Sequence, residues 1–199
     1  MSKIEQNTTA LQELLEAVNN LPSSDIAALL DRTIRSIDDS SVTTVKSYAC
    51  YKGDYLTSVN LPNVTRIEEY AFAYCLRLEI LNISNVTFIG NNAFTYCKTL
   101  TSLNLPNVAN VGSYTFDNCL ELANVYLGNV GTIGRDAFAW CSKLTSVTLR
   151  SNTVCSLYNS NAFDGCHEDL RIYVPANLVS AYKTATNWSV LADRIVGIS

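Results

Sequence analysis

Seven cysteines and a single histidine, His167, are the residues of this 199-residue chain with the most chemical reach. A catalytic thiol needs a base beside it, and a structural zinc needs paired ligands, such as two cysteines close together on one loop. Neither arrangement is present. Cys75, Cys97, Cys119 and Cys141 stand 22 residues apart, and Cys166 follows 25 later, one thiol at each step. His167 adjoins Cys166, but neighbours in a chain tend to point apart, and it alone would have to serve any Ser-His pair. The carboxylates Asp117, Asp136 and Asp164 fall at positions that solubility explains. A surface acid pair can cleave glycosides, yet nothing in the spacing builds a cleft to hold the sugar. The chain also lacks a G-x-G-x-x-G, a P-loop and an H-E-x-x-H. The expectation is a protein without catalytic residues, metal ligands or cofactor.

What must position these thiols is a repeat. Phe72, Phe94, Phe116 and Phe138 share the 22-residue interval, as do Leu78, Leu100, Leu122 and Leu144. So do Leu81, Leu103, Val125 and Val147, then Ile83, Leu105, Leu127 and Leu149, then Ile67, Ile89, Val111 and Ile133. A unit of that length cannot bury its own apolar side, so neighbours must stack and share a core. The L-x-x-L-x-L portion alternates as a short strand does, with Leu103 and Leu105 inward and Ser102 and Asn104 outward. Stacking pairs these strands into a parallel sheet along one side. The Ala-Phe-x-x-Cys portion is expected to make a tight helical turn that drops Phe and Cys into the core from the other side. Each large apolar side chain so buried contributes about 1.5–3 kcal/mol. The column Cys75, Cys97, Cys119, Cys141 and Cys166 then reads as a structural column of small buried hydrophobes. Rungs about 5 Å apart leave contact between adjacent thiols, and even a disulfide, geometrically open. The odd number of cysteines argues against a fully paired framework.

The unit L-x-x-[LIV]-x-[LI]-[PSG]-N-V-x-x-[IV]-x-x-x-[AT]-F-x-x-C, running from about Val42 to Val174, resembles the BspA-like class of leucine-rich repeat. The tail YVPANLVSAYKTATNWSVLADRIVGI is similar to the closing segment of that family. The resemblance implies a bacterial protein and a right-handed solenoid used for adhesion or protein contact. The fold class expected is therefore a strand-rich, α/β-type leucine-rich-repeat superhelix of 22-residue units. It has a parallel sheet on one side, N-terminal helices, and a C-terminal helix-strand cap.

The ends divide the chain into residues 1–22, 23–174 and 175–199. In the first segment Ile4, Leu11 and Val18 are seven apart, as are Leu14 and Leu21, which predicts a helix with an apolar seam stopped by Pro22. Self-association as a coiled coil, docking on the chain's own body and attachment to another partner all suit that seam. Behind it, SSDIAALLDR predicts a short helix covering the open end of the core, and IRSID the first, edge strand. Past the last repeat, a helix is expected from Pro175 to about Thr184 and a final strand over Ile195–Ile198. The step from Phe138 to Phe163 is 25 residues, which predicts a three-residue bulge around Cys155 to Ser160.

Charge narrows the partners. Residues 1–40 hold seven acids and three bases, and the remainder balances, so the formal charge of −4 lies in the N-terminal fifth. A neutral body has no basic stripe for nucleic acid. The opening residues show no apolar run of an export signal, and no stretch is apolar enough to span a membrane, which reads as cytoplasmic with reduced thiols. On that reading the Asn-x-Ser/Thr triplets at Asn63, Asn82, Asn85 and Asn187 carry no weight. Partner contact would then fall on outward columns. One binding face comprises Asn60, Asn82, Asn104, Tyr126, Thr148 and Tyr173, with Ser102, Asn124, Ser146 and Arg171 beside it. An aromatic column comprises Tyr74, Tyr96 and Trp140. The functional expectation is a recognition module for a protein or glycan ligand. The other reading is a structural subunit, of a phage-like or surface complex, joined as a homo-oligomer through Ile4, Leu11, Leu14, Val18 and Leu21.

Overall fold

The computed structural model describes residues 35–198. The helices expected before Ile34, and with them Ile4, Leu11, Leu14, Val18 and Leu21, lie outside the described residues.

Successive rungs each contribute two short strands, and these assemble into parallel sheets. On one side lie β1 (Ser36–Asp38), β3 (Ser58–Asn60), β5 (Ile80–Asn82), β7 (Ser102–Leu105), β9 (Asn124–Leu127), β11 (Ser146–Leu149) and β13 (Arg171–Pro175). Between them in the chain come β2 (Thr44–Val45), β4 (Arg66–Ile67), β6 (Phe88–Ile89), β8 (Asn110–Val111), β10 (Thr132–Ile133) and β12 (Ser156–Leu157). The even-numbered strands from β2 to β12 form one unbroken six-stranded sheet. Ser36 pairs with Ser58, Ser58 with Ile80, and Ser102 with Asn124, each 22 positions on. This second sheet, built on the Ile67, Ile89, Val111 and Ile133 column, is absent from the sequence reading.

The odd-numbered side is not one sheet but two. β1, β3 and β5 form a three-stranded sheet, and β7 begins a five-stranded one, with no pairing between β5 and β7. Leu81, expected wholly inside, is only partly buried at this opening, whereas Val59 is fully buried and Leu103 nearly so.

The Ala-Phe-x-x-Cys segment places its side chains as expected but is not a helical turn. Phe72, Phe94, Phe116 and Phe138 are fully buried, as are Cys75, Cys97, Cys119 and Cys141. The backbone instead takes left-handed φ twice per rung: at Tyr48 and Lys52, Tyr70 and Tyr74, Asn92 and Tyr96, Tyr114 and Asn118, and Asp136 and Trp140. That rotation turns alternate N–H groups along the solenoid axis. The N–H groups of Tyr70, Phe72 and Tyr74 donate to the carbonyls of Asn91, Ala93 and Thr95 on the next rung, at 2.8–3.1 Å. A helical turn would spend them within the rung. Here they form a third inter-rung ladder, and the phenylalanines stack at 5.2–5.5 Å between ring centres.

The extra residues near the C-terminal end are also placed differently from the sequence reading. Thr132 pairs with Ser156, two positions beyond the regular interval, so two of the three precede β12, and Cys155 and Leu157 are core residues. By Phe163, held in a 3-10 turn over Ser160–Phe163, the third has been taken up. Past β13 come a 3-10 turn (Ala176–Leu178), helix α1 (Val179–Thr184), another 3-10 segment (Ser189–Arg194) and β14 (Ile195–Ile198), parallel to β13. Pro175 ends the strand rather than opening the helix. Tyr182 and Trp188 are fully buried, and Trp188 lies 6.1 Å from Phe163, at the end of the phenylalanine stack. The Trp188 indole N–H donates to the Cys155 carbonyl (2.8 Å), and the Cys155 N–H donates to the Tyr182 hydroxyl (3.1 Å).

Candidate binding surfaces

The odd-numbered strands carry the first surface. Asn82, Asn104, Ser102, Asn124 and Arg171 are exposed, while Asn60, Tyr126, Thr148, Tyr173 and Ser146 are partly buried between neighbouring rungs. At its N-terminal end the asparagines bond to one another. The Asn60 amide donates to Asp38 (2.7 Å) and the Asn82 amide to Asn60 (2.6 Å). Such a ladder satisfies side chains that would otherwise compete for water. Ile80, in the column of Ser58 and Ser102, is 65% exposed and sits where the sheet opens. It is the one large exposed hydrophobic of this face among the described residues.

The second surface is aromatic. Tyr74 and Tyr96 stack face to face, 4.9 Å apart and 6° from parallel. Tyr48 and Tyr70 repeat this at 4.9 Å, and Tyr51 packs edge-on between the pairs. A tyrosine with positive φ costs about 1–3 kcal/mol, which ring stacking of about 0.5–1.5 kcal/mol offsets in part. Trp140 is in the same column but does not touch Tyr96, because Asn118 occupies the rung between. It is 60% exposed and leans over Gly165, whose absent side chain leaves it room.

The thiols are held away from reagents. All seven described cysteines are free, and only Cys166 is less than fully buried. Each of Cys75, Cys97, Cys119, Cys141 and Cys166 donates its S–H to a carbonyl of the preceding rung, at 3.2–3.3 Å. Burial pushes the thiols of Cys50, Cys155 and Cys166 up to about 12, and those of the four central cysteines well above the usual range. A thiol so disfavoured as a thiolate is a poor nucleophile and a poor metal ligand. His167 does not serve Cys166. Its Nδ1 accepts the Asp169 N–H (3.1 Å), while the Cys166 thiol turns to the Phe138 carbonyl.

Asn63 and Asn85 likewise face the neighbouring rung, their amides donating to the Ser40 and Pro62 carbonyls (both 2.8 Å). On the even-numbered sheet, Arg66 lies 4.1 Å over the Phe88 ring and beside Glu68, forming a shallow depression of about 280 Å³ that also includes Asn91. The 22-residue offset of Arg66 and Phe88 is visible in the sequence, but not that this column faces outward. Among the described residues, no helix is long and apolar enough to cross a membrane.

The solved structures most informative for this geometry are bacterial. The pneumococcal vaccine antigen PcpA superposes with a TM-score of 0.65 at 17% identity, over 83% of this chain and 42% of that one. A leucine-rich repeat protein from Eubacterium ventriosum gives 0.53 at 24% identity, over 67% of this chain and 43% of that one. This chain therefore spans less than half of either. Among curated proteins, none matches. The family of the BspA type leucine rich repeat region matches in 6 copies, over residues 30–144 and 65–189. Together with the parallel rungs and the buried Phe and Cys columns, that match makes the chain a member of the BspA-type leucine-rich repeat family.

Proposed function

We propose that the chain is a non-enzymatic recognition module that takes a protein partner on the face of the odd-numbered strands. Repeats of this family serve as interaction and adhesion scaffolds. The observation that carries the reading is Ile80. A large apolar side chain 65% exposed, at an opening in the sheet and ringed by Ser58, Asn82, Ser102 and Asn104, has the composition of an interface centre with a polar rim. Tyr126 and Tyr173 extend the same face with groups that combine apolar area and a hydrogen-bonding tip. Residues 23–174 form the repeat body on this reading, and residues 175–199 close its C-terminal end. The compartment proposed is the cytoplasm.

Photo-crosslinking tests the face. Benzoylphenylalanine at position 102 should capture a discrete partner in host cells, and the same group at Asn129, off this face, should not. Adding Ile80→Asp should lower capture at position 102 by about tenfold, the loss of one well-buried apolar anchor. Equal capture from both positions, insensitive to Ile80→Asp, removes the strand face as the site.

A further inference from the structure

The aromatic column is missing one ring. Tyr74, Tyr96, Asn118 and Trp140 have the same backbone conformation, with φ of 63°, 61°, 59° and 59°. Their N–H groups all bond to the following rung, at 2.8, 2.9, 2.9 and 2.7 Å. The four side chains therefore leave the solenoid in the same direction, one rung apart. Tyr74 and Tyr96 fill their places and stack at 4.9 Å. Asn118 does not fill its place. Its short side chain is drawn aside, the amide donating to Asp117 Oδ2 (2.9 Å). Tyr96 and Trp140 are thus separated by two rung spacings, on the order of 10 Å. The Trp140 ring atoms Cε3 and Cδ2 would lie 2.5 and 2.9 Å from a Cβ on Gly165, so the indole leans away from Asn118 and widens the opening.

We propose that this slot is a binding site for one six-membered sugar ring of a glycan, held between Tyr96 and Trp140 over Asn118. The site is separate from the strand face and does not depend on it. A saturated ring in the vacated place lies against Tyr96 at the spacing the column already uses and faces the Trp140 indole across the widened side. The rim selects the kind of ring. Asp117, half-buried, receives the Asn118 amide and the Thr95 hydroxyl (3.5 Å), both at Oδ2. Sugar hydroxyls supply donors to its other oxygen and to the Asn118 carbonyl oxygen at once, whereas a tyrosine or tryptophan side chain brings one donor for the two acceptors and a phenylalanine none. Burial and the nearby Asp136 raise the Asp117 pKa, a penalty that hydroxyl donors relieve. The exposed Lys98 ammonium, 5.6 Å from the Tyr96 ring centre, is displaced from that ring by a guest and becomes a donor to its oxygens.

The test is Asn118→Tyr, because it restores the ring the column lacks in a conformation that Tyr74 and Tyr96 already adopt. The full chain is applied to a glycan array of glucose, mannose, galactose and N-acetylglucosamine oligosaccharides, and hits are titrated by calorimetry, with tryptophan emission followed alongside in the variants that keep Trp140. Wild type should bind at least one series with a shift in tryptophan emission. Asn118→Tyr should remain folded, with an unchanged or raised melting temperature, and lose binding. Trp140→Ala should weaken it about tenfold, as expected for one stacking wall. Ile80→Asp should leave it unchanged. No binding to any glycan on the array overturns the proposal, as does full binding by folded Asn118→Tyr. Sensitivity to Asn118→Tyr of a protein partner alone assigns the slot to an aromatic side chain and overturns the sugar.

Discussion

At the scale of single residues, the left-handed positions explain what hydrophobic periodicity does not. Position 165 ends the column that begins at Lys52 and runs through Tyr74, Tyr96, Asn118 and Trp140, and it is the one glycine with positive φ, at 68°. The other members prove that a side chain can adopt this backbone, so conformation alone does not demand glycine there. Trp140 does. Gly165→Ala puts a methyl group 2.5 Å from the indole, which must swing off. The expected cost is about 1–3 kcal/mol for the displaced indole, over and above that of left-handed backbone, with a change in tryptophan emission. A thermal melt and a fluorescence spectrum of the one variant check both. The inward residues were legible in the sequence because one interval governs them all: Phe94, Cys97, Leu100, Leu103 and Leu105 are each buried. Which outward residues meet was not legible. Tyr74, Tyr96 and Trp140 belong to one column by spacing, yet only the first two touch, because a single asparagine intervenes.

At the scale of elements, the Phe-x-x-Cys turn shows how a correct burial pattern can accompany a wrong backbone. The spacing of Phe72 and Cys75 suits one turn of helix, and side-chain direction alone does not distinguish a helix from a turn whose N–H groups serve the next rung. Inter-rung bonding decides it, and that is a property of the stack. The thiols that the core buries give a pH dependence with a definite sign. Their folded-state pKa values lie above the ordinary value of 9.0, so thiolate is favoured in the unfolded chain. The contribution is complete below about pH 9 and is lost as pH rises towards about 12. Melting temperatures should be level near neutrality and fall progressively above about pH 9. Reaction with a thiol reagent should follow unfolding rather than precede it. A chain whose thiols react fully while its circular dichroism is native would contradict the burial described.

At the scale of the whole molecule, the seven-residue spacing of Ile4, Leu11 and Val18, and of Leu14 and Leu21, leads us to propose an oligomerisation arm. Light scattering of the full chain should give a multiple of 21.9 kDa, and a chain beginning at Ser23 should give a monomer. A monomer in both cases removes the arm and the assembly reading with it. An oligomer would set several strand faces in one particle, raising avidity for a repetitive target without new contacts. The gap between β5 and β7 bears on how each copy meets such a target. The six-stranded sheet across the solenoid passes that level unbroken, with Arg66 paired to Phe88 and Phe88 to Asn110. The ladder from Tyr70, Phe72 and Tyr74 to Asn91, Ala93 and Thr95 crosses it as well, so two of the three sides are fastened at this level and only the strand side is open. Like a book held along its spine and one cover, the solenoid has a single free margin, and the page at that margin is the one that bears Ile80.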